Sequence, residues 1–311
     1  MKRLAVLPAA MAVALALAAC GSDEDDSAPD VSDGPVVPIE TTAESVSQDT
    51  APTSGGGDVD CSPTSDIWYA PGVLTVATGE PAFPPYVVDD DPTSGEGFES
   101  AVVYAVAETL GFAQPDVTWV RTTFDEAIAP GEKDYDFNIQ QYSITEDREE
   151  FVDFSLPYYT AQKALIVPAD SPAASATTFA DIQDLKYGAT IGTTDADYIT
   201  DTIGIPDADV AIYDDQAATF AAMSAGQIDA TVIGLPTALY QTAVELEGYV
   251  VAGVLPRLGD ETDGMGMLFE EGNPARDCVN TALESLTEDG TLAAVDEEWM
   301  QGGGEIPEIT E

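Results

Sequence analysis

Arg148 is one of nine lysine and arginine side chains in a chain of 311 residues, and it stands just after a hydroxyl-bearing turn, Ser143-Ile144-Thr145. A guanidinium presents a planar fork of N–H donors that matches a carboxylate, and neighbouring hydroxyls extend the set. The chemistry this spacing suits is recognition of a small anion. Bond-making chemistry lacks its usual parts, because the chain contains no histidine. That removes imidazole general bases, Ser-His-Asp triads and nearly all transition-metal sites, so no catalytic residue, metal or cofactor is expected. A plainer reading makes Arg148 a surface residue among Glu146, Asp147, Glu149 and Glu150, where ion pairs contribute little.

The charge balance narrows the partners. Fifty-eight acids against nine cations give a formal charge of −49. Such a surface repels nucleic acid and anionic lipid headgroups, and its plain meaning is solubility, in a saline medium if the habitat is one. An apolar fraction of 44% is ample for a core, and the length allows two domains.

The first twenty residues carry an address. Met1-Lys2-Arg3 is a basic start, Leu4 to Leu17 is an apolar run short for a permanent membrane span, and Leu17-Ala18-Ala19-Cys20 follows. This arrangement resembles the lipobox of bacterial lipoproteins, which implies cleavage before Cys20 and a lipid anchor on its thiol. The competing reading is an ordinary secretory signal with an incidental cysteine. Residues 20–66 are rich in Ser, Asp, Pro, Thr and Gly without apolar periodicity, and read as a disordered acidic linker. Cys61 and Cys278 are then two cysteines in an oxidising compartment, where a disulfide is expected in preference to two free thiols.

The elements that must position Arg148 alternate between strand and helix. Gly72 to Thr78 reads as a buried strand, followed by the aromatic, proline-rich loop Gly79 to Tyr86. The stripe from Phe98 to Leu110 is a helix closed by Gly111. Strands at 117–120 and 135–139 bracket a helix opening at Phe124, and together these predict a mostly parallel α/β sheet. Beyond a strand at 164–167 the pattern resumes. Helices are expected at 179–185, 195–203, 216–225 and 236–246, and strands at 187–191, 210–213, 228–233 and 250–254. Gly264 to Phe269 returns the chain, and helices at 274–286 and 292–300 close it.

Several of these stretches, taken in order, resemble the family 3 solute-binding proteins of bacterial polar amino acid importers. They are G-V-L-T-V with its aromatic loop, Gly97-Phe98, F-D-x-x-I at 124–128, S-I-T-x-x-R at 143–148 and V-D-F-S-x-P-Y-Y at 152–159. G-T-T at 192–194, G-Q-I-D-A at 226–230, E-D-G-T-L at 288–292 and Trp299 complete the set. The resemblance implies an α/β, two-lobed, periplasmic-binding-protein-like (type II) clamp with two hinge strands. Its expected parts are a signal peptide (1–19), the linker (20–66), lobe 1 (67–163), lobe 2 (164–256), a lobe 1 return (257–303) and a tail (304–311).

In the matched positions Arg148 would grip a ligand's α-carboxylate, with help from Ser143 and the backbone N–H of Thr194. Phe83 and Phe124 would form an aromatic slot, although core packing alone would also account for them. Gln141 follows Gln140 where the family often has small residues, and should narrow the pocket. The family's second-lobe strand commonly ends D-A-x-V-x-D-x-P; here Asp229-Ala230-Thr231-Val232-Ile233-Gly234-Leu235-Pro236 has Gly234 where the acid that pairs with the α-ammonium should stand. An unpaired buried ammonium costs about 3–5 kcal/mol. Either Asp195 or Glu80 substitutes, or the ligand is not a standard α-amino acid. Arg121 and Lys163 are the other cations able to approach, Arg121 being expected at the surface.

The function implied is that of a monomeric, membrane-tethered, extracytoplasmic binding protein. It would deliver a small carboxylate, a polar amino acid or derivative, to an ABC permease, with no chemistry of its own. The alternatives are a cyclohexadienyl-dehydratase-like enzyme on the same fold, which Glu80 would serve as a pocket acid, and a ligand-sensing receptor module.

Overall fold

Leu74–Gly79 is buried along its whole length, the pattern of a central strand covered on both faces. In the computed structural model, which describes residues 59–257, 264–300, 302 and 306–310, this strand (β1) is an inner strand of a five-stranded sheet. The signal segment, Cys20 and the linker up to Asp58 lie outside the described residues.

In chain order the first lobe contributes β1, α1 (Phe98–Leu110), β2 (Val117–Thr122), α2 (Phe124–Ile128), β3 (Phe137–Asn138), α3 (Glu146–Glu149) and β4 (Val152–Phe154). Then β5 (Tyr159–Thr160) leads into the second lobe, which begins with β6 (Lys163–Pro168), β7 (Tyr187–Thr190) and α4 (Thr194–Asp197). It continues through β8 (Val210–Tyr213), α5 (Gln216–Ser224), β9 (Thr231–Gly234), α6 (Leu235–Tyr240) and β10 (Tyr249–Val254). The chain returns through β11 (Gly264–Met265) and β12 (Leu268–Glu270), and ends with α7 (Ala275–Glu288) and α8 (Thr291–Trp299).

The first sheet has the order β2-β1-β3-β12-β4. Its β2, β1 and β3 are parallel, as alternation of strand and helix requires. The parallel expectation fails elsewhere. Strand β12 runs antiparallel to β3 and β4 because it comes back from the other lobe. In the second lobe β10-β6-β9 is antiparallel, whereas β7 and β8 pair in parallel and Tyr187 of β7 makes a parallel bridge to Ala230, just before β9. Strands β5 and β11, the two crossing segments, pair antiparallel between the sheets.

Helices α1, α7 and α8 pack together, and the first core joins the apolar faces of α1 and α7 to Val76, Phe137 and Phe269 of the sheet. Cys61 and Cys278 are bonded, with Cα atoms 5.6 Å apart and a sequence separation of 217. The folded body therefore begins inside the stretch expected to be linker. Two other expectations change. Phe179–Asp181 is a single tight turn instead of a helix to Leu185, closed by a capping box between Thr178 and Asp181. The end of the chain is not a free tail: Ile309 is fully buried in the second core, and its N–H donates to Val254 O at 2.9 Å.

Candidate functional site

Between the two sheets lies a cavity of about 460 Å3. Its first-lobe wall comes from the segments just after β1, β2 and β3, and its second-lobe wall from those after β7, β8 and β9. Ligand crevices at the carboxyl ends of parallel strands follow from this topology.

Arg148 is held by a short helix built for it. Thr145 is the N-cap of α3, its hydroxyl accepting from Arg148 N at 3.3 Å, so the helix starts there and delivers the guanidinium one turn on. Arg148 Nη1 donates to Ser143 O at 2.6 Å and Nη2 donates to Gly192 O of the second lobe at 3.0 Å. Its Cζ lies 5.5 Å from the centroid of Phe124, whose ring packs against Tyr142 at 4.7 Å. Two of five N–H donors are thereby used, leaving three for a bound anion. Burial draws its pKa below the usual value, opposed by Tyr142, Asp197 and Asp195, and a guanidinium remains charged through such a shift.

The lobes meet at two further points. Ser143 Oγ and Thr194 Oγ1 are 3.2 Å apart, and the ring of Phe83 meets Phe220 edge-on at 6.5 Å. Lys163, the first residue of β6, donates to Thr194 Oγ1 at 3.0 Å and to Asp195 Oδ1 at 2.6 Å. A hydrogen-bonded chain thus runs from Arg148 through Ser143 and Thr194 to Lys163 and Asp195.

Of the residues expected at the site, Arg148, Ser143, Thr194, Phe124, Gln141, Glu80 and Asp195 all line the cavity. Phe83 does not; its carbonyl accepts from Tyr86 N and Val87 N, and this turn sends Tyr86 inward instead. Asp195 is ion-paired through Oδ1 with Lys163, which leaves its second oxygen for another donor. Arg121 is pinned away from the cavity, bonded to Gly79 O, Asp90 O and the Asp90 carboxylate.

Sequence reasoning missed Tyr86, Phe220, Thr219, Thr231 and Thr237 of the lining. It also missed Glu99, fully buried behind the wall, which accepts from Gln141 N at 2.8 Å and from Gln141 Nε2 and Tyr158 Oη. These bonds fix Gln141 in a left-handed conformation, φ 51°, that a side chain rarely adopts unsupported. Burial pushes the Glu99 carboxyl up to about 7 against those bonds, which act to lower it. The signal available was an acid at the second position of an apolar helix, indistinguishable in sequence from a first-turn helix acid.

Residues 74–302 match the family described as bacterial extracellular solute-binding proteins, family 3. This chain belongs to that family. Among relatives of the solute-binding family, the L-cystine-binding protein TcyJ of Escherichia coli (strain K12) is 26% identical over 232 residues, covering 74% of this chain and 83% of its own. An ancestral arginine-binding protein bound to arginine superimposes with a TM-score of 0.61 at 28% identity, covering 74% of this chain and 99% of that one. The ancestral amino acid-binding protein AncCDT-1, a precursor of cyclohexadienyl dehydratase, gives 0.60 at 28%, covering 74% and 96%. The two-lobed fold is that of the type II binding proteins. The protein is thus an extracytoplasmic solute-binding component of the kind that serves ABC importers.

Proposed function

We propose that this binding protein captures a small carboxylate, an amino acid or a derivative of one, by closing its lobes around Arg148. It hands the ligand to an ABC permease while tethered as a monomer through lipidated Cys20 to the outer face of the membrane. The observation that carries the ligand class is the guanidinium itself. It sits on the cavity wall with three donors unspent, beside the hydroxyls of Ser143 and Thr194, and joins the lobes through Gly192 O. A carboxylate placed there completes a charge-assisted fork and favours closure at the same time.

The relatives' ligands differ, cystine for one and arginine for another, so the family alone does not name the side chain. Turnover has less support than binding. A general acid needs a carboxyl held protonated near neutral pH within reach of the substrate. The carboxyl that burial raises to about 7, Glu99, is enclosed by Gln141 and Tyr158 and does not line the cavity.

The test is calorimetry on wild type and Arg148→Ala, with ligands found by a thermal-shift screen across amino acids and related carboxylates. A ligand at 100 times its Kd adds about 2.7 kcal/mol of stability and is readily seen. Loss of the fork should weaken binding by two to three decades, about 3–4 kcal/mol, with the far-UV spectrum unchanged. Unchanged affinity in the variant refutes the assignment.

A further inference from the structure

Glu99, in the first turn of α1, is a fully buried carboxyl that meets hydrogen-bond donors and, among the described residues, no cation. Gln141 N donates to its Oε1 at 2.8 Å, Tyr158 Oη donates to the same oxygen, and Gln141 Nε2 donates to its Oε2. An ionised carboxylate only accepts, so this arrangement commits the NH2 of Gln141 to Glu99 and turns the amide oxygen the other way. Gln141 Oε1 accepts no hydrogen bond among the described residues and is not enclosed, so it opens on the cavity that Gln141 lines. The left-handed backbone at Gln141 keeps the amide between the acid and the cavity.

Protonation of Glu99 reverses the amide. The neutral carboxyl keeps one accepting oxygen for Gln141 N and Tyr158 Oη, and its new O–H needs an acceptor. Placed on Oε1, that hydrogen displaces the donation from Tyr158. Placed on Oε2, it is accepted by Gln141 once the amide turns half a circle, and all three bonds survive. The turned amide shows its NH2 to the cavity. The phenols around the acid are Tyr86 after β1, Tyr142 beside Gln141 and Tyr158 after β4. Burial pushes each of them well up, with Glu99 adding to it, so they hold their protons while Glu99 titrates. Burial raises Glu99 itself to about 7, opposed by Tyr158 and Gln141, and no charged side chain contributes from α7 or α8, which pack on α1.

We propose that Glu99 is a positioning residue whose proton sets which end of the Gln141 amide faces the ligand: the oxygen when Glu99 is ionised, the NH2 when it is protonated. The inference rests on the reading of Arg148 as the carboxylate's anchor. Ser143, whose carbonyl holds the Arg148 guanidinium, stands two residues after Gln141, and both line the cavity, so the amide lies beside the carboxylate fork and next to the ligand's α-carbon. An ammonium there finds an acceptor in the amide oxygen, in addition to the second oxygen of Asp195. The turned amide sets a donor against a donor. The clamp therefore holds an amino acid more tightly as pH rises through the titration of Glu99, and binding below that point releases a proton.

The experiment is calorimetry on the purified protein with the tightest binder among the standard amino acids and L-cystine, at half-unit steps from about pH 5.5 to pH 8. Wild type should gain about five- to tenfold in affinity across that range, the worth of one hydrogen bond to a charged group. Buffers of different ionisation enthalpy should report release of about half a proton per ligand near pH 6.5. Glu99→Gln stands in for the protonated acid, because its NH2 holds the Gln141 amide turned. Its affinity should stay flat at the wild type's acid value, with no proton released. Gln141→Leu, which keeps Glu99 and removes the amide, should be flat as well, whereas an acid that merely supported the wall would still carry its pH dependence into this variant. Wild-type affinity that changes less than about twofold, or a pH dependence that survives in either variant, overturns the inference and leaves the Arg148 reading in place. If no amino acid binds, the inference falls with the ammonium it needs. The Arg148 reading falls only if no carboxylate in the wider thermal-shift screen binds either.

Discussion

Glu99 makes the stability of this protein depend on pH in a direction opposite to that of a salt-bridged acid. In the unfolded chain it ionises near 4.5, whereas burial holds it protonated in the fold up to about 7. Between those values the fold keeps a proton that the unfolded chain has released, so stability falls as pH rises and levels off once both states are ionised. The whole window is worth about 3 kcal/mol, of which about 2.5 kcal/mol falls between pH 5 and pH 8. Asp136 adds to the trend at lower pH. Burial raises it from 3.8 to about 6, although it accepts from Tyr69 N and Thr75 N at 2.6 Å each. The mutual repulsion of an excess of acids has the same sign, so a single pH series cannot isolate Glu99. Glu99→Gln can. The amide keeps one oxygen for Gln141 N and Tyr158 Oη, and the Gln141 amide turns over to accept from its NH2. Urea midpoints for both proteins at half-unit steps from pH 4.5 to pH 8 should give two curves that lie close together at the acid end and diverge as pH rises, wild type falling below the variant, their separation changing by about 2–3 kcal/mol. Parallel curves, within about 0.5 kcal/mol throughout, would refute the account of Glu99 as a buried acid that titrates with folding.

Two other perturbations probe the frame around the cavity. Reducing the Cys61–Cys278 bond frees a loop whose ends are 217 residues apart, and the chain-entropy treatment puts the loss at up to about 5 kcal/mol. The urea midpoint should drop accordingly while ligand affinity, measured well below the new melting temperature, stays the same, because neither cysteine lines the cavity. A change under about 1 kcal/mol would mean the reduced chain retains the constraint by other contacts. Ile309→Ala should cost about 2–4 kcal/mol through the void left in the second core, read as a fall in melting temperature. An unaltered melting temperature would show that the end of the chain does not contribute to that lobe.

Much of the fold was legible because its elements are local. The stripe from Phe98 to Leu110, the strand at Val210–Tyr213 and the glycine stop after α1 are each decided by residues within a few positions of one another. Strand direction was not legible in the same way. Whether β12 runs with or against β3 depends on a segment returning from the other lobe, and nothing in Leu268-Phe269-Glu270 records that. The buried Ile309 was missed for a related reason. A short polar, glycine-rich terminus reads as solvated until Gly253 is seen to leave the space that Pro307 and Ile309 fill.

At the site the division between legible and illegible follows charge. In a chain with 58 acids, a carboxylate at a cavity wall carries little information, and both acids expected to bind an ammonium illustrate it: Asp195 serves Lys163, and Glu80 is exposed at the wall. A cation is informative because it is rare, and the described cations sort by what they hold. Arg121, Lys133 and Arg276 clip loops through Gly79 and Asp90, through Ala129 O, and through Asp153, and none of them lines the cavity. Arg148 and Lys163 both line it, one from each side of the Ser143–Thr194 contact where the lobes meet. Their remaining donors are what a closing clamp has to offer an incoming molecule. Asp195 is bonded to Lys163 and Asp197 acts on both cations, so the charges of this stretch balance one another. A ligand's carboxylate is met there by directed N–H donors and not by surplus charge.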